Sequence, residues 1–257
     1  MLAKPWTGWP SKAQLVAERK FDGHRLLVRV APSGVTAWSR TGHDRKLSPA
    51  LYDALSNLPP GVYDGELIVP GGKAPDVARL ENRARLHYVV FDVLELLNVP
   101  TCADKWSQRR AYLEEIAKRG LFAAPLQLAE MWAVSDEEYL RWLAERVWAD
   151  GGEGLVVKLT HAPYAPGKRT DAFLKIKQCQ SAVLTIVGWE PGTTGDTCVA
   201  VLRDDEGVTA RVKVLNDTLR AQVARNPRAF IGRKLAIEYH ERTADRAYRH
   251  PRWDHLL

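Results

Sequence analysis

The stretch "ERKFDGHR", residues 18–25, sets Lys20 two positions before Asp22, with Gly23 next and Arg25 beyond. A Lys-x-Asp-Gly-x-Arg pattern arises by accident in on the order of one chain of this length in several hundred, at roughly 5% usage per residue type. Alone it fits a solvated lysine as well as a nucleophile. Its flanks are more informative: "QLVAERK" (14–20), "HRLLVRV" (24–30) and "GVTAWSR" (34–40) alternate apolar and polar residues. That period predicts three strands joined by Gly-containing turns, with the lysine at a strand end.

Outward from there, "SPALYDALSNLPPG" (48–61) reads as a short helix stopped by Pro-Pro-Gly, and "VYDGELIV" (62–69) and "LHYVVFDVLEL" (86–96) as strands. Two helices follow. One, "SQRRAYLEEIAKRG" (107–120), ends at Gly120; the other, "SDEEYLRWLAERVWADGG" (135–152), opens with Ser135 and Glu138 at capping-box spacing. Its Leu140, Leu143 and Val147 form an apolar stripe that belongs to the core. "EGLVVKLT" (153–160) and "DAFLKIKQ" (171–178) return to strands. Beyond about residue 180 come four strand-like runs, "AVLTIVGWEPG", "TCVAVLRDDEG", "VTARVKVL" and "KLAIEYHER", with the helical "NDTLRAQVARNP" before the last. Short strands plus one helix in so few residues suggest a small Greek-key barrel such as the OB-fold.

With 257 residues, 46% hydrophobic and 26% charged, the chain has ample length for a buried core. No apolar run approaches the ~20 residues that span a bilayer, and "MLAKPWTGWP" lacks a secretory pattern, so a cytoplasmic location without membrane attachment is expected. Cys102, Cys179 and Cys198 are far apart and form no Cys-x-x-Cys pair, against a zinc ribbon or a disulfide framework. The net charge of +6 suits a polyanionic partner. Residues 1–30 carry six Lys/Arg against two acids, and residues 162–180 four against one, so cations gather around the two segments richest in candidate chemistry.

Set beside "KFDGHR", five further segments form an ordered series: "SRTG" (39–42), "DGE" (64–66), "FD" (91–92), "EGLVVK" (153–158) and "LKIK" (174–177). Taken singly, "DGE" fits a turn, Phe91 plain core, and "LKIK" an amphipathic strand. In order and approximate spacing the series resembles the motifs of the covalent nucleotidyltransferases, above all the ATP-dependent DNA ligases. The resemblance implies an α+β fold: an adenylation domain over 1–180 with antiparallel sheets and flanking helices, then an OB-fold barrel over 181–257.

It implies roles as well. Lys20 forms the lysyl-AMP bond; Glu18 accepts from the adenine amino group; Arg25 and Arg40 bind ribose or phosphate. Glu66 touches the ribose or orients a metal, Phe91 stacks on adenine, and Glu153 helps hold Mg²⁺ (or Mn²⁺). Lys158, Lys175 and Lys177 serve the phosphates. A lysine amine attacks phosphorus only when neutral, and the expected source of activation is nearby cations: Arg19 beside it in sequence, with Lys158, Lys175 and Lys177 converging. The substrates implied are ATP and nicked duplex DNA, and a monomer is expected. The tail "ERTADRAYRHPRWDHLL" resembles the Arg-His-Pro-aromatic segment near the end of bacterial ATP-dependent ligases. Relatives often continue into an Arg-x-Asp-Lys segment that orients pyrophosphate; this sequence stops at Leu257, so the expectation is either that Arg249 or Arg252 substitutes or that the first step is slow. About twenty residues precede Lys20 and no zinc or helix-hairpin-helix apparatus is seen, which favours ATP over NAD. An RNA ligase or capping-type enzyme, and a non-catalytic nick-binding OB protein, remain the rival readings.

Overall fold

Strand alternation decides which residues of this chain meet. The computed structural model describes residues 1–6, 8–9, 14–192, 198–214, 216–243 and 245–257, in two compact units, Met1–Lys177 and Gln178–Leu257. Thr197 and Leu215, at the ends of two expected runs, and Ala244 of the tail lie outside the described residues.

The first unit opens with β1 (Leu2–Pro5), β2 (Leu15–Lys20), β3 (His24–Ala31), β4 (Gly34–Ser39), α1 (Pro49–Ser56) and β5 (Gly61–Ile68). The short α2 (Ala74–Val77) and a 3-10 turn at Leu80–Arg85 lead to β6 (His87–Leu96), β7 (Val99–Pro100) and α3 (Trp106–Lys118). Then come β8 (Leu126–Leu128), β9 (Met131–Val134), α4 (Glu137–Ala149), β10 (Gly154–Leu159) and β11 (Arg169–Lys177). One sheet has the order β1-β11-β10-β2-β9, and another β4-β3-β5-β6-β7 with β8 beside β6. Pairing is antiparallel except β1 with β11 and β6 with β8.

In the first sheet Leu15 and Ala17 of β2, Leu155 and Val157 of β10, and Leu174 of β11 share a core with Leu140, Leu143, Ala144 and Val147 of α4. The alternate residues of the same strands therefore face away from α4: Glu18 and Lys20, Val156 and Lys158, Phe173, Lys175 and Lys177. The second sheet buries Leu26, Val28, Val30 and Val90 against Leu51 and Leu55 of α1 and Leu113 and Ile116 of α3. Val16, Trp106, Tyr164 and Phe173 form a smaller core cluster.

Helix α4 is not capped by Ser135. Asp136 is the N-cap, its carboxylate accepting from the Tyr139 amide at 2.7 Å, while Ser135 donates to Asp136. The ionised acceptor takes the amide and the hydroxyl supports it. The "DGE" segment is no turn either, since it runs inside the continuous strand β5.

The second unit holds β12 (Gln180–Pro191), β13 (Cys198–Arg203), β14 (Thr209–Lys213), α5 (Asp217–Arg225), a 3-10 turn at Pro227–Phe230, β15 (Lys234–Tyr239) and β16 (Arg252–Leu256). These strands form one antiparallel sheet in the order β14-β13-β12-β15-β16. The tail, whose sequence pattern predicts no strand, holds β16 near its end. Leu184, Ile186, Leu202, Val212, Leu235 and Ile237 form the core, with Val223 of α5 and Phe230. The described cysteines are free thiols, and no described helix is long and apolar enough to cross a membrane.

Two glycines let the strands meet closely. A Cβ on Gly23 would fall 2.3 Å from the Leu67 carbonyl oxygen, so only glycine lets the loop after Lys20 lie against β5. Gly154 sits in register between Lys20 and Lys177 with φ of +143°, and a Cβ there would fall 2.0 Å from the Ile176 carbonyl oxygen. Gly154→Ala is therefore expected to cost about 2 kcal/mol or more, the combined effect of a backbone region closed to L side chains and a backbone clash. Urea unfolding of the variant, showing a lower midpoint at unchanged slope, checks this.

Candidate active site

The non-helix face of the first sheet and the edge of the second enclose a cavity of about 550 Å³ within the first unit. Its lining includes Glu18, Lys20, Arg25, Arg40, Glu66, Phe91, Lys158, Lys175 and Lys177. Ten of the twelve sequence-derived site residues belong to this unit, and the tenth, Glu153, is joined to the cavity by two ion pairs. Its carboxylate takes the Lys20 ammonium at 2.5 Å on one oxygen and the Lys177 ammonium on the other. Burial alone would raise the Glu153 carboxyl, but Lys20 and Lys177 outweigh it and hold it below the usual range.

The nearest charge to Lys20 is thus an anion, not the cations expected from sequence. Arg19 faces the other way, because neighbouring strand residues point to opposite sides; its guanidinium reaches the Asp150 carbonyl at 3.4 Å, beyond the end of α4. Lys158 is not paired with Glu153 as Lys20 and Lys177 are. It is almost fully buried, paired to Glu18 at 2.6 Å and donating to the Phe91 carbonyl at 3.2 Å. The rings of Phe91, Trp106 and Phe173 lie 5.0, 5.6 and 4.9 Å from its ammonium. Burial pushes the Glu18 carboxyl up, against the pull of Lys158. One Glu18 oxygen, Oε1, is buried without a hydrogen-bond partner.

Arg25 is similarly committed. Its Nε donates to Asp64 at 2.8 Å and a second nitrogen to the other Asp64 oxygen, with further bonds to the Met1 carbonyl at 2.6 Å and the Tyr164 hydroxyl at 2.9 Å. Burial would lower the guanidinium pKa, but the completely buried Asp64 raises it further. Its cation stands 5.3 Å from the Phe91 ring centre. Arg40 lies exposed on the rim. Arg249 and Arg252 belong to the second unit, where Arg249 pairs with Glu241 at 2.5 Å and Arg252 stands opposite Glu238 in the sheet.

Sequence reading missed Phe173, Arg45 and Arg169, which also line the cavity. Phe173 was recoverable, because it precedes Lys175 and Lys177 at strand spacing. Arg45 had no local signal; it enters through a contact of 3.2 Å with the His24 ring, across 21 residues. Burial, then the Arg45 charge, keeps the His24 pKa below its ordinary value. Among the described residues no three His, Cys, Asp or Glu side chains cluster as a metal site.

The chain belongs to the ATP dependent DNA ligase domain family, whose model matches residues 1–177. Over 194 residues it is 28% identical to the multifunctional non-homologous end joining DNA repair protein LigD of Mycobacterium tuberculosis, covering 71% of this chain and 24% of LigD. It is 29% identical over 231 residues to DNA ligase C1 of Mycolicibacterium smegmatis, covering 80% of this chain and 64% of that protein. The chain thus spans about a quarter of the length of its mycobacterial LigD relatives and about a third of that of Bacillus subtilis. A solved structure from a structure–function analysis of Lig E DNA ligases shares the fold, with a TM-score of 0.78 at 20% identity, covering 100% of this chain and 98% of that one.

Burial pushes the Glu66 carboxyl up to about 7, outweighing the attraction of Lys20 and Arg25. A folded pKa above the unfolded value means that the folded state holds its proton more tightly. Stability from this group is therefore present below about pH 4.5 and lost as pH rises through about 7. Glu66→Gln is expected to stabilise the fold at pH 8 by on the order of 2–3 kcal/mol and to change it little at pH 4. Chemical unfolding at the two pH values checks the sign.

Proposed function

We propose that this chain is an ATP-dependent DNA ligase that seals nicks in duplex DNA, with Lys20 as the attacking amine. The observation that carries the reading is a nucleotide-sized cavity with two chemically different ends. At one end Lys20, Glu153, Lys175 and Lys177 gather charge suited to a polyphosphate. At the other an unsatisfied carboxylate oxygen, a buried lysine and an aromatic ring suit a base.

An unpartnered buried acceptor costs about 1–3 kcal/mol or more, and an exocyclic amino group would remove that cost. Adenine offers such a donor to Glu18 Oε1 from its 6-amino group, where guanine in the same pose carries a carbonyl oxygen; for a base held in that pose this favours ATP over GTP. Phe91 stacks on the base, and Lys158 supports the base end rather than the phosphates. Arg25, bound to Asp64, holds the Phe91 side of the cavity in place more than it contacts ribose. Glu66 meets the ribose, and Arg40, Lys175 and Lys177 take the phosphates.

Glu153 and Glu66 supply two carboxyl groups, the second of which a bound cation would draw into its ionised form, and Mg²⁺ is ordinarily held by one or two carboxylates alongside waters and phosphate oxygens. Mg²⁺ (or Mn²⁺) bound there would neutralise charge at the α-phosphate. Lys20 paired as an ammonium with Glu153 has no lone pair to offer, so its attack requires that carboxylate to be engaged elsewhere and a proton to leave. The Lys20 ammonium first gives one proton to solvent. The Nζ–P bond then forms as the α–β phosphoanhydride breaks, and pyrophosphate departs with its electron pair, stabilised by Lys175 and Lys177. The new phosphoramidate nitrogen releases its second proton to solvent. AMP passes from Lys20 to the 5′-phosphate, and the adjacent 3′-hydroxyl closes the phosphodiester and releases AMP.

The reading also assigns residues 1–180 to the adenylation domain and 181–257 to an OB-fold barrel that holds the duplex. The barrel is supported by five strands with a helix between the third and fourth. Arg249 and Arg252 serve DNA or pyrophosphate, and the protein acts as a cytoplasmic monomer.

Lys20→Ala is expected to abolish covalent labelling by α-labelled ATP on a denaturing gel. The same variant should still seal a nick whose 5′ end is already adenylated, since only the first transfer needs the amine. Undiminished labelling of the variant, or labelling of the wild type by GTP and not ATP, contradicts the reading.

A further inference from the structure

We infer that Arg109, which lies outside the cavity lining, is a positioning residue for nucleotide binding that acts on Phe91 through Asp92. The inference rests on the nucleotide reading given above.

Its basis is a break in strand register. Asp64 of β5 pairs with Asp92 of β6, but the next residue, Gly65, pairs with Val90. Phe91 is therefore the extra residue of a β-bulge, with no cross-strand partner of its own. A bulge re-aims a side chain, and here it turns Phe91 into the cavity. The same irregularity removes the ladder bonds that would fix the ring's position, so the bulge needs other anchors.

The structure supplies them on both sides. The Phe91 carbonyl accepts from Lys158 at 3.2 Å. Asp92 is gripped by both arms of Arg109, at 2.7 and 3.0 Å, while its Oδ1 also accepts from the Val93 amide at 3.0 Å. Arg109 is in turn fixed by the Asp104 carbonyl at 2.6 Å and the Ala162 carbonyl at 3.4 Å. Neither side chain of the pair is more than 1% exposed. The first turn of α3 is tied to the segment after β10 as well, Trp106 and Ser107 donating to Ala162 and Thr160 at 2.8 and 2.9 Å. Arg109 thus links Phe91 to the strand that carries Lys158.

Stability alone is a poor reason for such a pair, because well-packed neutral side chains in its place are commonly no less stable. Only a guanidinium fork fixes both carboxylate oxygens in one plane, and that fixes the backbone turn next to Phe91.

The test uses the full chain in two variants. Arg109→Met with Asp92→Asn removes both charges together and avoids leaving one buried alone. Arg109→Lys keeps the charge but cannot grip both oxygens. For each, melting temperature, the kinetics of lysine adenylation with ATP, and competitive inhibition by inorganic tripolyphosphate are measured. We expect KM for ATP to rise on the order of tenfold, with the adenylation rate at saturation within about threefold, the pattern of lost uniform binding. Tripolyphosphate, which has no base, should inhibit within about twofold of its wild-type strength. An unchanged KM overturns the inference, as does equal weakening of ATP and tripolyphosphate. Failure of both variants to fold overturns it too, since the pair would then be a folding element. A wild-type chain that forms no lysyl-AMP at all removes the nucleotide reading itself, which separates the two failures.

Discussion

The contact on which the rest of the site depends is the Glu153 carboxylate bridging Lys20 and Lys177. It joins the ends of three adjacent strands, with β10 in the middle and its two neighbours each presenting a lysine opposite Gly154. Two ammonium groups brought to one point repel each other, and the carboxylate between them lets both be half-buried together. Gly154 makes that possible, because any side chain there would collide with the neighbouring strand's backbone. The arrangement holds Lys20 in a defined place, and in the proposed reaction Glu153 would have to take another partner before that amine attacks.

Buried ion pairs frame the rest of the cavity: Glu18 with Lys158 and Arg25 with Asp64 hold residues of its lining, and Arg109 with Asp92 stands behind it. Removing one member of such a pair costs about 3–5 kcal/mol, although the pair as a whole adds little net stability. What these pairs supply is definition. They hold an apolar, aromatic end of the cavity opposite a cationic end, which in the proposed reading would give a ligand with a flat base and a charged tail one orientation. The Glu18 oxygen left without a partner marks where such a base would have to donate.

Much of this was legible in the sequence, and the reasons for the rest are physical. Alternation in "QLVAERK" put Glu18 and Lys20 on one face, and the spacing of Lys175 and Lys177 did the same on β11. The same rule, applied to Arg19, would have excluded it as a neighbour of the Lys20 amine. Lys158 falls on the correct face, but alternation says nothing about position along a strand, and its pairing with Glu18 depends on the register of β10 against β2. Strand β1 was not read, because four residues ending in proline carry little pattern and pair in parallel with a strand more than 160 residues away. The Phe91 bulge leaves no mark in composition, since it arises from how two strands align.

The measurement that bears most directly on the account is peptide mapping of the chain after exposure to ATP and Mg²⁺. The account predicts a single AMP, carried on the peptide that contains Lys20, with Lys158, Lys175 and Lys177 unmodified. AMP on any of those other lysines, or no covalent nucleotide under conditions where the chain is folded, would contradict it.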